Sequence, residues 1–369
     1  MARAPEQMGI DWPRTTKSDT DVLSTGEPML NSMERRTFLG AGLAAAASLP
    51  VSSTAAARHP LPYNPRTHQA MPVRNLGRTG YRVGILSLGG QATLEIPGKE
   101  AESAAIINRA IDLGVNYIDS AAGYGNGASE KHIGLVLKSR RKEVFVTSKT
   151  ADRTYDGSMR LIDRTLSNMQ TDHVDLWQIH NLQTRQQLDQ IFAEDGAMKA
   201  LVKVRDQGMA SFLGVTGHYE PEILIEALKR FPFDTILMAV NAADRHYLSF
   251  IEHLLPLAQE LGIGTIGMKI ATRGRVLSTW NPPPLDQQPE RLRTAKPGTL
   301  TIEEALAYNL TLPLSTNIIG VDTVAQIEQN VAFASKFNPL SEAKMRELEK
   351  RTLPIARQAL YFRRWDLGA

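Results

Sequence analysis

The chain has no cysteine in 369 residues. Disulfides, thiolate nucleophiles and Cys-ligated metals are thereby excluded. Aromatic residues make up only 6%, and the charge is nearly balanced, 42 Lys and Arg against 39 Asp and Glu, for a net charge of +3. That mild excess comes with no basic face and no known nucleic-acid module, so no nucleic-acid partner is expected. Long apolar runs are also missing. The Ala- and Leu-rich stretch ending at Leu49 is too short and too rich in Ala for a transmembrane span, so no stable membrane insertion is expected. His173 and His180 stand seven apart with no third ligand nearby, so no metal site is expected.

Residues 1–57 form an N-terminal extension. Its first part, 1–32, is polar and without apolar periodicity. It continues as "MERRTFLGAGLAAAASLPVSSTAAA", with paired Arg35 and Arg36, an Ala-, Gly- and Leu-rich run, and an A-x-A site at Ala55–Ala57. That layout predicts a twin-arginine signal peptide, recognised by the twin-arginine export machinery. Glu34 and Gly40 depart from the usual motif, and Met33 is an alternative start to Met1. Such export carries folded proteins with any cofactor already loaded, so the expected location is periplasmic or outside the cell. Residues 58–73, Pro-rich, read as a linker.

From residue 74 the chain alternates between short apolar segments and helical ones. The strand candidates are "VGILSLGG", "VNYID", "VFVTSK", "VDLWQIH", "SFLGVTG", "TILMAVN", "GIGTIGMK" and "TNIIGV". They are continuously apolar, as strands buried on both faces are. Eight strand–helix units predict a (β/α)8 TIM barrel over 74–340, followed by a C-terminal helical extension, 341–369. A doubly wound open sheet is the alternative, but no G-x-G-x-x-G follows the first strand. In a barrel, chemistry gathers at the C-terminal ends of the strands. There the sequence places Asp119, Lys149, His180 and Asn241, after strands two, three, four and six.

Taken singly, each polar residue has a plain structural reading. Asp119 could cap the next segment, Tyr124 could pack on a loop, Lys149 could be a solvated strand end, and His180 a satisfied core histidine. Together they put an acid, a phenol, an ammonium and an imidazole on one rim. With "NYIDSAAGYGNGASE", "VTSK", "DLWQIH", "LGVTGH" and "IIGVDTVAQIEQN" in that order, the chain resembles the aldo/keto reductase family from about residue 74 to 336. The resemblance implies a nicotinamide-dependent oxidoreductase that interconverts a small carbonyl compound, an aldehyde, ketone or sugar, and its alcohol. It implies Tyr124 as general acid/base, Lys149 and Asp119 as its supports, and His180 as a donor to the substrate oxygen. Other readings are a catalytically weak cofactor-binding barrel serving as a sensor or binding subunit, and a barrel isomerase using Asp119 and His180.

The resemblance also implies cofactor contacts at Thr216, Asn241, Met268, Lys269, Gly320, Asp322, Gln326 and Asn330. The family's usual Gln in strand six and aromatic in strand seven are missing from "ILMAVN" and "TIGMK". NADP is the expected cofactor on family frequency, with NAD the alternative. Gly320, Asp322 and Gln326 stand where NADP binders often carry Lys or Arg, and acidic Asp322 suits a ribose hydroxyl. Trp280, on the long loop after strand seven, is a candidate substrate wall. Strand phase turns Trp177 away from His180, toward the helices. The aromatic tail residues Tyr361, Phe362 and Trp365 are expected on the barrel or in the pocket.

Overall fold

The computed structural model describes residues 59–288 and 296–365. The expected twin-arginine signal lies outside the described residues. Among the described residues no helix is long and apolar enough to cross a membrane.

Ten strands are present among the described residues. β1 (Val73–Asn75) and β2 (Arg82–Gly84) form an antiparallel hairpin. β3 (Leu86–Gly89), β4 (Tyr117–Asp119), β5 (Phe145–Thr150), β6 (Val174–Ile179), β7 (Ala210–Gly217), β8 (Thr235–Ala239), β9 (Gly264–Met268) and β10 (Thr316–Ile319) close into a parallel barrel in chain order. Helices between the strands include Glu100–Asp112, Ala128–Arg140, Tyr155–Met169 and Val324–Ser335. The eight expected segments are thus the eight staves, and the fold is the (β/α)8 barrel with a C-terminal helical extension from Glu342.

Alternation along each strand builds two cores. Tyr117, Phe145, Leu176, Phe212, Leu237 and Ile266 fill the barrel interior. Ile118, Val146, Trp177, Leu213, Ile236 and Ile319 face out into the larger helix-packed core, which is where phase put Trp177. The inward phase also carries Asp119, Lys149 and His180 up to the C-terminal rim, above this apolar plug.

Two segments differ from the sequence expectation. "VGILSLGG" is two strands, not one. The break is Ile85, whose N–H donates to Pro72 O in the hairpin while its carbonyl accepts from Asn317 N of β10. The apolar run continues through it because both halves are buried. β1 and β2 cap the N-terminal end of the barrel. Leu76, Tyr81 and Val83 pack against the interior plug, and Tyr81 Oη donates to Asn116 O at 2.7 Å. The segment read as a linker packs on the barrel: it carries a short helix, Thr67–Ala70, and buried Asn64 donates to Ile111 O at 2.8 Å.

Candidate active site

Asp119 ends β4 with its side chain 1% exposed. Its two carboxylate oxygens accept from Thr147 Oγ1 at 2.9 Å and from Lys149 Nζ at 2.6 Å. Lys149 also donates to Ser120 O at 2.6 Å. An ammonium has three protons, so one is left over, and Nζ lies 5.2 Å from the centre of the Tyr124 ring. Burial lowers the Lys149 pKa against the opposing pull of Asp119.

Tyr124 reaches this spot through backbone geometry. The chain leaves β4 with Ser120 N bonded to Thr147 O at 3.0 Å and enters a short 3-10 turn, Tyr124–Gly127. Gly125 has φ +55°, and a Cβ there would lie 1.9 Å from Glu95 O, so glycine is required on both counts. The Tyr124 ring is half-buried and meets His180 edge-on, with centroids 5.8 Å apart. The surrounding walls desolvate the phenol, and Asp119 and Glu95 add negative charge, so its pKa rises above the ordinary tyrosine value. The Tyr124 phenol therefore keeps its proton at neutral pH. His180 is held near a pKa of about 3, by burial first and then by Lys149, Arg153 and Lys269. Its imidazole is neutral at pH 7 and offers one N–H donor.

A cavity of about 590 Å³ opens beside Tyr124 and runs along the C-terminal ends of β9, β10 and β3. It is lined by Asp119 and Tyr124, and also by Met268, Lys269, Trp280, Gly320, Asp322, Gln326 and Asn330. These are nine of the thirteen predicted site residues. Lys149 and His180 join through Asp119 and Tyr124. Thr216 and Asn241 do not line the trench. Thr216 Oγ1 accepts from Asn181 N at 2.7 Å. Asn241 donates to Lys269 O and Ala359 O, both at 3.3 Å, and accepts from Ala243 N at 2.8 Å. Their polar atoms hold the rim backbone together.

The trench suits an extended anionic dinucleotide. Its floor between β3 and β10 is bare backbone: a Cβ on Gly89 would meet Gly320 N at 3.0 Å, and one on Gly320 would meet Gln91 O at 3.1 Å. Lys269 supplies a cation beside it, bonded among the described residues to the neutral Gln91 Oε1, at 3.1 Å. Burial, with help from Arg273 and Lys149, brings the Lys269 pKa down to about 8, as befits an ammonium with no bound counter-charge. Next to the exposed Asp322, Gln326 Oε1 accepts from Asp322 N at 2.6 Å.

Sequence reasoning missed several lining residues. Gln91, Ala92 and Glu95 follow β3, and Arg273 follows β9. Gln91 Nε2 donates to Glu95 at 3.2 Å, and Arg273 pairs with Glu95 at 3.4 Å. The strand-end rule would have found Gln91 had it been applied to the first strand. It would also have found His218, which follows β7 and whose Nδ1 lies 2.8 Å from Asn181 Oδ1.

The family model for the aldo/keto reductase family matches residues 83–352. The chain is 28% identical over 292 residues to the L-galactose dehydrogenase of Arabidopsis thaliana, covering 73% of this chain and 89% of that protein. It superposes on the holo form of the aldo-keto reductase AKR11C1 from Bacillus halodurans with a TM-score of 0.63 at 24% identity, covering 76% of this chain and 96% of that one. An aldo-keto reductase from Klebsiella pneumoniae, solved in complex with NADPH, gives 0.60 at 19% identity, over 75% and 94% of the two chains. With that match across most of the barrel and a trench shaped for a dinucleotide beside Tyr124, the chain belongs to the aldo/keto reductase family and is an NAD(P)H-dependent oxidoreductase of carbonyl and alcohol substrates.

Proposed function

We propose that Tyr124 is the proton donor to a substrate carbonyl, and the acceptor in the reverse direction, in hydride transfer between a nicotinamide cofactor and a small aldehyde, ketone or sugar. The observation that carries this reading is the convergence of Tyr124, His180 and the Lys149–Asp119 pair at one end of a dinucleotide-sized trench. A bound nicotinamide cofactor would supply the hydride. As negative charge grows on the carbonyl oxygen, the Tyr124 hydroxyl gives it a proton, and the neutral His180 N–H donates a hydrogen bond that orients it. Lys149 stabilises the phenolate left behind with its uncommitted proton, and Asp119 keeps Lys149 charged and in place.

Lys269, with Gly89 and Gly320 below, is the proposed seat of the cofactor's diphosphate. Family frequency favours NADP, and the Klebsiella relative is bound to NADPH. The far end of the trench supports NAD instead. Gly320, Asp322 and Gln326 offer no cation there, and an exposed carboxylate repels a 2′-phosphate but accepts from a ribose hydroxyl. The Arg35–Arg36 segment supports export of the folded, cofactor-loaded protein through the twin-arginine machinery. A cytoplasmic reporter fused after Ala57 and retained inside cells would count against it.

The test is oxidation of NADH and of NADPH by the purified protein with a panel of aldehydes, ketones and sugars, beside Tyr124→Phe. Turnover that disappears in the variant supports the reading. A protein that binds cofactor but shows no Tyr124-dependent turnover is instead a binding barrel.

A further inference from the structure

The hydride chemistry does not use the end of the stretch "NYIDSAAGYGNGASE", where Ser129 and Glu130 stand. Both lie in the first turn of helix Ala128–Arg140, directly after the Tyr124 turn, and both are fully buried. Ser129 Oγ lies 2.8 Å from Ser120 Oγ, and the Ser120 carbonyl accepts from the Lys149 ammonium. Glu130 Oε1 accepts from Ser148 Oγ at 2.6 Å and from Thr165 Oγ1 at 2.7 Å, and its Oε2 accepts from Asn168 Nδ2 at 3.0 Å. Glu130 thus ties the helix that follows Tyr124 to β5, next to Lys149, and to helix Tyr155–Met169.

Five acids are buried among the described residues: Asp119, Glu130, Asp175, Glu220 and Asp244. Four have a cation within ion-pair distance. Asp119 has Lys149, Asp175 has Arg141, Glu220 has Arg364 and Asp244 has Arg363. Glu130 has none among the described residues, and its three donors are neutral. A buried carboxylate with no compensating charge is costly. Lys149, on the opposite face of β5 from Ser148, compensates it at longer range. Burial works against the Lys149 charge, Asp119 favours it in contact, and Glu130 favours it from behind the strand. The other titratable groups that face Lys149 are Tyr124, His180, His218 and Lys269. Burial holds both histidines neutral, and Lys269 is a like charge.

We propose that Glu130 is a positioning residue for the hydride-transfer reaction: its carboxylate supports the Lys149 ammonium from behind β5, while its bond to Ser148 seats the Tyr124 turn on that strand. This deepens the oxidoreductase reading and rests on it. Glu130 does not line the trench, so it acts only through Lys149 and Tyr124.

The test reads kcat for 4-nitrobenzaldehyde with saturating NADH from neutral to alkaline pH. The Tyr124 step needs the Lys149 ammonium, so kcat falls where that proton is lost. Glu130→Gln keeps the shape and removes the charge. It should move the alkaline fall down by about one pH unit, the scale of a neighbouring charge, which is about fivefold in kcat at the wild-type midpoint. KM should stay the same. Glu130→Asp should bring the fall back toward its wild-type position. Thr165→Val removes one neutral donor and keeps the charge, so it should lower the melting temperature and leave the fall in place. A fall unmoved in Glu130→Gln, or moved as far by Thr165→Val, would make Glu130 a purely structural brace and overturn the proposal. So would a rise in KM with kcat unchanged. Should Glu130→Gln not fold, Glu130→Leu with Ser148→Ala and Thr165→Val removes the carboxylate together with two of its donors, a swap that costs less than orphaning them, and is read in the same way. Should the wild type not turn over, NMR titration of Lys149 Nζ in nitrogen-labelled protein separates the two ideas. A titration that moves down in the charge-free variant then sustains the coupling while the oxidoreductase reading fails, and one that stays in place sinks the coupling itself.

Discussion

Two buried ion pairs sit at the rim of this barrel, Asp119–Lys149 and Asp244–Arg363, with side-chain exposures of 1% or less in all four residues. In composition they are alike. Their surroundings are not. Asp244 accepts from Ser249 Oγ at 2.7 Å, Ile251 N at 3.0 Å and Phe250 N at 3.3 Å, besides Arg363. Arg363 donates in turn to His218 O at 2.8 Å and Ala239 O at 2.9 Å, and lies over the Phe250 ring. Of that pair's polar atoms, Arg363 Nε is buried without a hydrogen bond, and the others are in use. Its work is to pin the C-terminal segment across the barrel end, which also fixes Phe362 and Tyr361 at the mouth. In the other pair, Lys149 keeps one proton uncommitted, with Nζ 5.2 Å from the centre of the Tyr124 ring. In the latch the unpaired Arg363 Nε is sealed inside the protein, whereas the spare Lys149 proton lies beside Tyr124, which lines the trench, and is placed for the chemistry proposed above.

The sharpest way to break this distinction is to remove the phenol. Tyr124→Phe should lower kcat by about 10² to 10⁴, the usual worth of a positioned general acid, with thermal unfolding unchanged, as turnover assays and melting curves would show. Next comes the latch. Arg363→Met leaves Asp244 charged and unpaired in the interior and should cost about 3–5 kcal/mol in chemical denaturation. Adding Asp244→Asn should recover part of that stability, and activity per folded molecule should fall far less than in Tyr124→Phe. If the double variant were as inactive as Tyr124→Phe, the latch would be catalytic and the distinction would fail.

The tetrad was legible in the sequence because a parallel barrel converts strand phase into position. Tyr117 and Asp119, Phe145 and Lys149, Leu176 and His180 are each in one phase, so the apolar plug and the polar rim are written into the same strands. Phase says which way a side chain points but not what its polar atoms are already bonded to. Thr216 and Asn241, at strand ends and in the inward phase, show this: their phase says nothing of the bonds they make to neighbouring backbone. The mouth was illegible for another reason. Arg275 meets Tyr361, and Lys269 meets Gln91, across separations that no local periodicity records. The split of "VGILSLGG" was hidden because hairpin and stave are both buried, so the apolar signal runs on through Ile85.

Lys269 extends the comparison to a half-buried cation, one with no carboxylate bonded to it among the described residues. Its pKa of about 8 lies below the ordinary lysine value. The folded state therefore holds this proton less tightly than the unfolded chain. Its unfavourable contribution to stability is present below about pH 8 and is relieved as pH rises toward the unfolded value near 10.4. Cofactor binding should run the opposite way, because a diphosphate favours the ammonium. Affinity should be level below about pH 8 and fall above it, by at most about tenfold per pH unit for a single proton. Lys269→Met should weaken binding at pH 7 and flatten that fall. A titration of NADH fluorescence against pH in both proteins checks this, and a fall equally steep in the variant would assign the proton elsewhere.

The smallest effect belongs to the far end of the trench, where the comparison turns from cations to their absence. Asp322 is exposed beside Gln326, and among the described residues no Lys or Arg lines that end. A cofactor 2′-phosphate placed there would meet a carboxylate at high dielectric, where one like-charge contact costs only about 1 kcal/mol. The wild type should therefore prefer NADH over NADPH by no more than roughly tenfold in kcat/KM, the reach of a single exposed charge contact. Asp322→Arg removes the repulsion and adds a donor fork for the phosphate, so it should reverse the preference while leaving kcat with saturating NADH unchanged. Raising the salt concentration should shrink the preference in both proteins, since an exposed contact is screened within a Debye length. A preference that resists salt would place the discriminating group in a buried part of the trench rather than at Asp322.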